Sequence, residues 1–235
     1  MKLDDAVVLI TGANRGIGKA FAQEALARGA RKVYAGARNP ESVRLPGVET
    51  IRLDVTRDEE VAAPAAQCGD VTVLINNAGI AVMGGFLAED AIDTARAQLE
   101  TNFFGPMRMS RSFAPILAAN GGGAIVNVLS VASWISSPLL AVYGASKSAA
   151  WALTNGLRHE MRDGRTQVLG LHMGFVDTDL THGIDQPKSL PEDIVRRAFD
   201  ALQRGADEVL ADELTRHVKL GLSAERGIYL GDSRS

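Results

Sequence analysis

Seven short runs of aliphatic and β-branched residues, separated by longer stretches of helical character, restrict this 235-residue chain to one kind of architecture. The runs cover residues 6–10, 32–35, 49–53, 71–75, 124–129, 167–172 and 208–210. Several are apolar at consecutive rather than alternating positions, the pattern of strands covered on both faces. Between them the spacing predicts helices over 16–28, 56–67, 90–119, 141–162 and 191–204. The punctuation agrees. Gly29 follows the first helix, Thr56 and Glu59 form a capping-box pattern, and Pro191 suits a first helical turn. Pro64 predicts that the second helix is short or broken. Strands alternating with right-handed crossover helices give an α/β fold, a doubly wound parallel sheet in three α/β/α layers. With no repeat or linker-like stretch, one domain is expected over 1–235. Its most flexible segment is expected at 178–190, which carries Gly183 and Pro187.

Charge narrows the function classes. A formal net charge of -3 gives no footprint for nucleic acid or for an anionic membrane surface. No apolar run approaches the roughly 20 residues that span a bilayer. Asp4 and Asp5 stand where a secretory signal would need an apolar core, and the lone Cys68 leaves no intrachain disulfide. These features lead to the expectation of a cytoplasmic protein. His159, His172, His182 and His217 lack metal-ligand spacing, so no metal is expected.

Directly after the first strand comes Thr11-Gly-Ala-Asn-Arg-Gly-Ile-Gly18, leading straight into a helix. Glycines there let the backbone turn sharply and bring main-chain N–H groups at a helix N-terminus close to a pyrophosphate. Two arginines bear on which dinucleotide is favoured. Arg15 lies inside the loop, and Arg38 follows the second strand, where a carboxylate would bind the 2′-hydroxyl of NAD. A guanidinium suits a 2′-phosphate instead, through forked, charge-assisted hydrogen bonds. NADP(H) is therefore expected over NAD(H).

Tyr143 and Lys147 stand four apart in a predicted helix and share one face. A free phenol, with a pKa of about 10, is a poor proton shuttle near neutrality. A neighbouring ammonium would favour the phenolate, by at most about 4 kcal/mol at 4 Å and an effective dielectric of 20. Ser130 ends the fifth strand, where a hydroxyl can donate to a carbonyl oxygen and stabilise a developing alkoxide. Asn102 lies in the long helix before that strand, and an inward-facing amide there would hold a water near Lys147. In open parallel sheets ligands bind at the carboxyl ends of the strands. The glycine loop, Asn76–Gly79, Ser130 and the turn at Gly174–Thr178 all fall on that edge.

With these residues assembled, the sequence resembles the short-chain dehydrogenase/reductase family in its compact, single-domain branch, from about Val7 to Asp179. The resemblance implies a Rossmann-like fold and a metal-free oxidoreductase that interconverts a carbonyl and an alcohol. It implies cofactor contacts from the loop (Gly12, Asn14, Arg15, Gly16, Ile17, Gly18), from Arg38, from Asp54 and Val55 beside the adenine, and from Asn76, Ala78 and Gly79. Tyr143, Lys147, Val176 and Thr178 would complete the cofactor site. Catalysis would rest on Tyr143 as general acid or base, Lys147 on the ribose and beside the phenol, Ser130 on the carbonyl, and Asn102 ordering a proton-relay water. Trp134, Ile135, Leu139 and Leu140, with Met83, Phe86 and Phe175, suggest an apolar or aromatic small-molecule substrate. Pairing through the helices of Asn102 and Tyr143 would give a homodimer or homotetramer. Two departures stand out. Met173-Gly174 replaces the family's usual Pro-Gly, which puts the rigidity of that turn in question, and the C-terminal stretch ends in charged, helix-like sequence. The competing readings are a non-catalytic NADP(H)-binding protein that senses redox state, and an isomerase or dehydratase of nucleotide sugars, for which 235 residues leave little room.

Overall fold

All seven apolar runs form strands in the computed structural model, which describes residues 2–231. They are β1 (Val7–Thr11), β2 (Lys32–Ala37), β3 (Glu49–Arg52), β4 (Val73–Asn76), β5 (Gly123–Val128), β6 (Thr166–His172) and β7 (Glu208–Leu210). Every pairing is parallel, and the order β3-β2-β1-β4-β5-β6-β7 reverses direction between β1 and β4. The helices are α1 (Gly16–Ala27), α2 (Asp58–Gln67), α3 (Ala91–Leu99), α4 (Gly105–Ala119), α5 (Ala141–Glu160), α6 (Pro191–Gln203) and α7 (Glu213–Gly221).

The consecutive apolar residues of the strands serve two layers. Val8 and Ile10 of β1 pack into a core shared with α1 and α6, while Val7 and Leu9 pack into a second core with α2, α4 and the C-terminal part of α5. In the first core Phe21 of α1 meets Phe199 of α6 edge to face, with centroids 5.3 Å apart. In the second, Met109, Phe113 and Leu117 of α4 reach the sheet at successive turns. The chain is a single α/β/α domain of Rossmann-like topology.

Three local expectations are corrected. The Thr56–Glu59 capping box does not form, because Asp54 claims both the Thr56 N–H and its hydroxyl, at 3.0 and 2.7 Å. α2 starts two residues later, at Asp58, with Arg57 at its N-cap and no side-chain cap. Pro64 does not break α2. The ring is buried, and the helix runs through it to Gln67. Residues 90–119 are not one regular helix. α3 and α4 are joined by a π-helical turn, Glu100–Phe104, that contains Asn102. A regular helix would need a bond from residue 106 onto the Asn102 carbonyl, and Pro106 has no N–H to give. The charged C-terminal stretch is α7, capped by Asp212, whose carboxylate accepts from the Thr215 N–H at 2.8 Å.

The loops after β1, β4, β5 and β6 all emerge on the carboxyl edge, where the topology switches. Since Phe199 is fully buried in the α1–α6 seam, Phe199→Ala is expected to cost about 3–5 kcal/mol, read as a lower denaturant midpoint. Leu220→Ala, at a side chain 82% exposed, is expected to leave the midpoint within about 0.5 kcal/mol of wild type.

Candidate functional site

A cleft of about 570 Å³ runs along the carboxyl edge, from the loop after β2 to the start of α5. Its floor is the glycine loop. Gly12 and Gly16 have φ of 67° and 52°, left-handed values that residues with a Cβ adopt at a cost. A Cβ on Gly18 would lie 2.1 Å from the Gly12 carbonyl oxygen, so only glycine permits the close approach. Asn14, Arg15, Gly16, Ile17 and Gly18 line the cleft, and the N-terminus of α1 has no side-chain cap. Its first N–H groups therefore remain available to an anionic group.

The loop is held by residues that the sequence reading passed over. The Thr11 hydroxyl accepts from the N–H groups of Asn77 and Ala78 at 3.0 and 2.9 Å. In return the Asn77 amide donates to the carbonyls of Thr11 and Gly12. Asn77, Ala78 and Gly79 line the cleft, but Asn76 does not. The expectation for Asn76 is thus corrected. As the last residue of β4 it points into the layer, where its amide donates to Asn127 at 2.8 Å and Ser110 at 3.3 Å. Asn127 continues the chain to Thr154 of α5 at 2.9 Å. An alternation of faces along a strand places neighbours such as Asn76 and Asn77 in different environments, and spacing alone did not separate them.

At the far end Arg38 is exposed, lines the cleft, and makes no ion pair among the described residues. Burial opposes ionisation of the Asp54 carboxyl beside it. The Thr56 hydrogen bonds and the charges of Arg38 and Arg57 prevail and hold it below its ordinary range. Val55 lines the wall next to it, and Asn39 and Ser42, not singled out earlier, complete this end. Arg15 meets Asp179 at 3.0 Å, an exposed pair of little net worth that leaves the guanidinium open to exchange partners.

At the other end α5 brings Tyr143 and Lys147 to the wall, opposite Ser130 just past β5. Ser130 opens a short 3₁₀ turn, and its hydroxyl accepts from the Ala132 N–H at 3.1 Å. Tyr143 is half-buried. Burial pushes its phenol up to about 12, while a hydrogen bond with the Ser130 hydroxyl pulls the other way. This overturns the expected depression by Lys147. The ammonium lies 5.8 Å from the ring centroid and donates to the Val128 carbonyl at 2.8 Å. Burial also brings Lys147 down to about 8, so desolvation dominates both groups.

Asn102 is buried beneath Gly79, and neither amide hydrogen is free. One goes to the Ile80 carbonyl and one to the Ser146 hydroxyl, both at 2.9 Å, while its oxygen accepts from the Ile80 N–H. The water-holding amide is corrected accordingly. Its main-chain carbonyl, by contrast, lost its regular helical partner at Pro106, a signal four residues downstream that was legible in the sequence.

Val176 and Thr178 line the third wall. The turn before them is fixed without proline. The Met173 carbonyl accepts from Val131 at 2.8 Å, and the Gly174 N–H donates to the Asp212 carboxylate at 2.6 Å. Segment 178–190 carries a 3₁₀ turn (Asp179–Thr181), and Ser189 pairs with the backbone of Phe175 and Asp177. Among the described residues, no helix is long and apolar enough to cross a membrane, and no cluster of three or more His, Cys, Asp or Glu side chains could hold a metal ion.

A model of the short chain dehydrogenase family matches residues 6–189. Dehydrogenase/reductase SDR family member 7B of Bos taurus is 34% identical over 196 residues, covering 75% of this chain and 60% of that protein. The NADP-dependent 3-hydroxy acid dehydrogenase of Schizosaccharomyces pombe is 32% identical over 240 residues, 91% of this chain and 93% of that one. A short chain dehydrogenase of Burkholderia cenocepacia, solved in complex with NADP, superposes with a TM-score of 0.92 at 39% identity over 96% of each chain. A short chain dehydrogenase/reductase of Burkholderia phymatum, solved with NAD, gives 0.83 at 27% identity over 96% of this chain and 97% of that one. The chain belongs to the short-chain dehydrogenase family.

Proposed function

We propose that the protein is an NADP(H)-dependent oxidoreductase that interconverts a carbonyl and an alcohol on an apolar or aromatic small molecule. The observation that carries this is that Ser130, Tyr143 and Lys147 share the wall of a cleft floored by a glycine cradle, with the Ser130 hydroxyl near enough to the phenol to oppose the effect of its burial. The uncapped start of α1 and the close approach at Gly18 fit a pyrophosphate, and Arg38 fits a 2′-phosphate. When bound, the nicotinamide supplies or accepts the hydride.

The chain's own residues have the following parts. The Ser130 hydroxyl donates to the substrate oxygen and orients it. Tyr143, protonated across the neutral range, delivers a proton to that oxygen as it becomes an alcohol; in the reverse direction it first passes its own proton toward Lys147 and then takes the alcohol's. Lys147 holds the ribose hydroxyls and restores the tyrosine proton. The Asn102 main-chain carbonyl, which the ring of Pro106 cannot serve as a donor, holds the water that connects Lys147 to solvent. Asp54 and Val55 flank the adenine, while Ala78, Gly79, Val176 and Thr178 border the rest of the dinucleotide.

Met83, Leu140, Phe175, Leu180 and Ile184 line the cleft, which supports a substrate with an apolar body. Segment 178–190 is its lid. Exposed Phe104 and Met107 on the α4 side support assembly as a homodimer or homotetramer through α4 and α5.

A panel of apolar and aromatic ketones with NADPH is expected to deplete the reduced-nicotinamide absorbance. Tight NADPH binding with no turnover of any carbonyl would instead establish the redox-sensing reading. Tyr143→Phe is expected to lower kcat at least about a hundredfold while leaving the NADPH Kd within about twofold, as for loss of a proton donor. Equal loss of both would remove the role assigned to it.

Arg38→Asp is expected to raise the NADPH Kd by at least about tenfold more than the NADH Kd, since it replaces a charge-assisted contact with a repulsive one. An unchanged ratio in fluorescence titrations would count against the specificity.

Lys147 titrates at about 8 in the folded chain against 10.5 unfolded, so between those values the unfolded chain holds more protons. Its contribution to stability therefore rises with pH through that window. Tyr143 works in the opposite sense above 10. Between pH 8 and 10 the Tm of the cofactor-free wild type is expected to gain on that of Lys147→Met; a constant difference would contradict a desolvated ammonium.

A further inference from the structure

Behind Ser130 lies a buried histidine that the proposed chemistry does not use. His172 is the last residue of β6 and is fully buried. Its Nδ1 lies 3.3 Å from the main-chain oxygen of Ser130. That oxygen has no strand partner of the ordinary kind. The β4–β5 ladder ends at the pair Asn76 and Asn127, and the two bonds that carry β5 onward to β6 come from the N–H groups of Leu129 and Val131. The remaining donors to the Ser130 carbonyl are the Ser133 N–H, at 3.0 Å within the short turn, and the imidazole.

We propose that His172 is a positioning residue. By donating from Nδ1 to the Ser130 carbonyl, it fixes the backbone from which the Ser130 hydroxyl is presented to Tyr143 and the substrate. This rests on the function proposed above and deepens it.

Both ring nitrogens face acceptors, and the positioning role assigns the proton to Nδ1: the Ser130 carbonyl is the nearer acceptor at 3.3 Å, and the Glu208 carboxylate is already paired with Lys219. Burial drives His172 down to about 3, so the ring stays neutral and carries that single proton. Among the described residues Nε2 makes no hydrogen bond, and it faces the Glu208 carboxylate at 3.5 Å. The ring is held in place from outside. Trp134 stacks on it with centroids 3.9 Å apart and planes 20° apart. Lys219 of α7 lies 4.8 Å from the Trp134 ring on a cation–π contact and bonds both oxygens of Glu208. A packing residue at this place would need the flat ring alone. A positioning residue needs the donor at Nδ1.

Two variants separate these roles because they reverse them. His172→Phe keeps a flat ring against Trp134 and removes the donor. His172→Asn gives up the ring and puts an amide nitrogen in the place of Nδ1. Positioning predicts that His172→Phe lowers kcat for ketone reduction about ten- to a hundredfold with the NADPH Kd nearly unchanged, as for misplacement of a reacting group, and that His172→Asn stays within about threefold of wild type. His172→Gln, whose amide reaches toward Nε2 instead, carries the same expectation as His172→Phe should that variant fail to fold. The reverse pattern, with Phe active and Asn inactive, would overturn the proposal, as would wild-type kcat in all three.

A readout without turnover keeps this test independent of the proposed reaction. In protein labelled with ¹³Cζ-tyrosine, the Tyr143 resonance, assigned by its loss in Tyr143→Phe, is expected to shift in Ser130→Ala as the hydroxyl beside the phenol goes. His172→Phe should shift it the same way, and His172→Asn should not. If wild type reduces no carbonyl but these shifts hold, the positioning role stands and the reaction falls. If Ser130→Ala shifts the resonance and His172→Phe does not, the positioning role falls by itself.

Discussion

A parallel sheet covered on both faces must bury nearly every side chain of its inner strands, and most of the molecule follows from that. All five residues of β1 and all four of β4 are buried, so neither strand offers a face on which polar chemistry could sit. Polar groups inside the layers are either paired with one another, as along Asn76, Asn127 and Thr154, or displaced to the carboxyl edge. The edge opens where β1 and β4 send their connections to opposite faces, and there the glycine loop and the Asn77–Gly79 turn lie side by side. Thr11 and Asn77 tie these two loops by reciprocal hydrogen bonds. The floor of the cleft is therefore an extension of the β1–β4 pairing rather than a pair of independent loops.

Burial also governs the electrostatics. The Tyr143 phenol is pushed up and the Lys147 ammonium down, each toward its neutral form. The simple expectation, a cation that acidifies its neighbour one turn away, counts their attraction and leaves out the cost of removing both groups from water. Along this wall the loss of hydration outweighs the mutual attraction, and the Val128 carbonyl takes one of the ammonium's donors. What remains to favour the phenolate is short-range, a hydrogen bond with Ser130. This makes the placement of that serine matter more than the presence of the lysine, and it draws attention to what fixes the Ser130 backbone.

The parts of the structure that could be read from the sequence are those set by period and punctuation. Consecutive apolar runs identified every strand, Gly29 and Pro191 marked helix ends, and the glycine loop, Ser130, Tyr143 and Lys147 fell on one cleft. The misses have a common cause, which is competition among polar groups that spacing does not register. Asp54 captured Thr56 before it could cap α2. Strand alternation turned Asn76 inward and left Asn77 for the cleft. Ile80 and Ser146 consumed the Asn102 amide. The π-helical turn was legible in principle, since Pro106 stands four residues after Asn102, but only by asking which carbonyl the missing N–H would have served.

The turn after β6 shows how a local rule can be satisfied by a distant residue. Where the family resemblance led to the expectation of a proline, this chain has Met173, buried and without a ring to restrict φ. A carboxylate from beyond β7 supplies the restriction. One oxygen of Asp212 caps α7 through Thr215, and the other accepts from Gly174 at 2.6 Å, a charge-assisted bond of the stronger kind. The restriction has moved from the turn's own ring to the cap of a helix 38 positions away. The same helix contributes Lys219, which lies over Trp134 and braces the ring against His172. α7 thus reaches both the turn that leads to Val176 and Thr178 and the support behind Ser130. In this chain the C-terminal helix is part of what gives the cleft its shape, and a substitution that loosens its cap would be felt at both walls together.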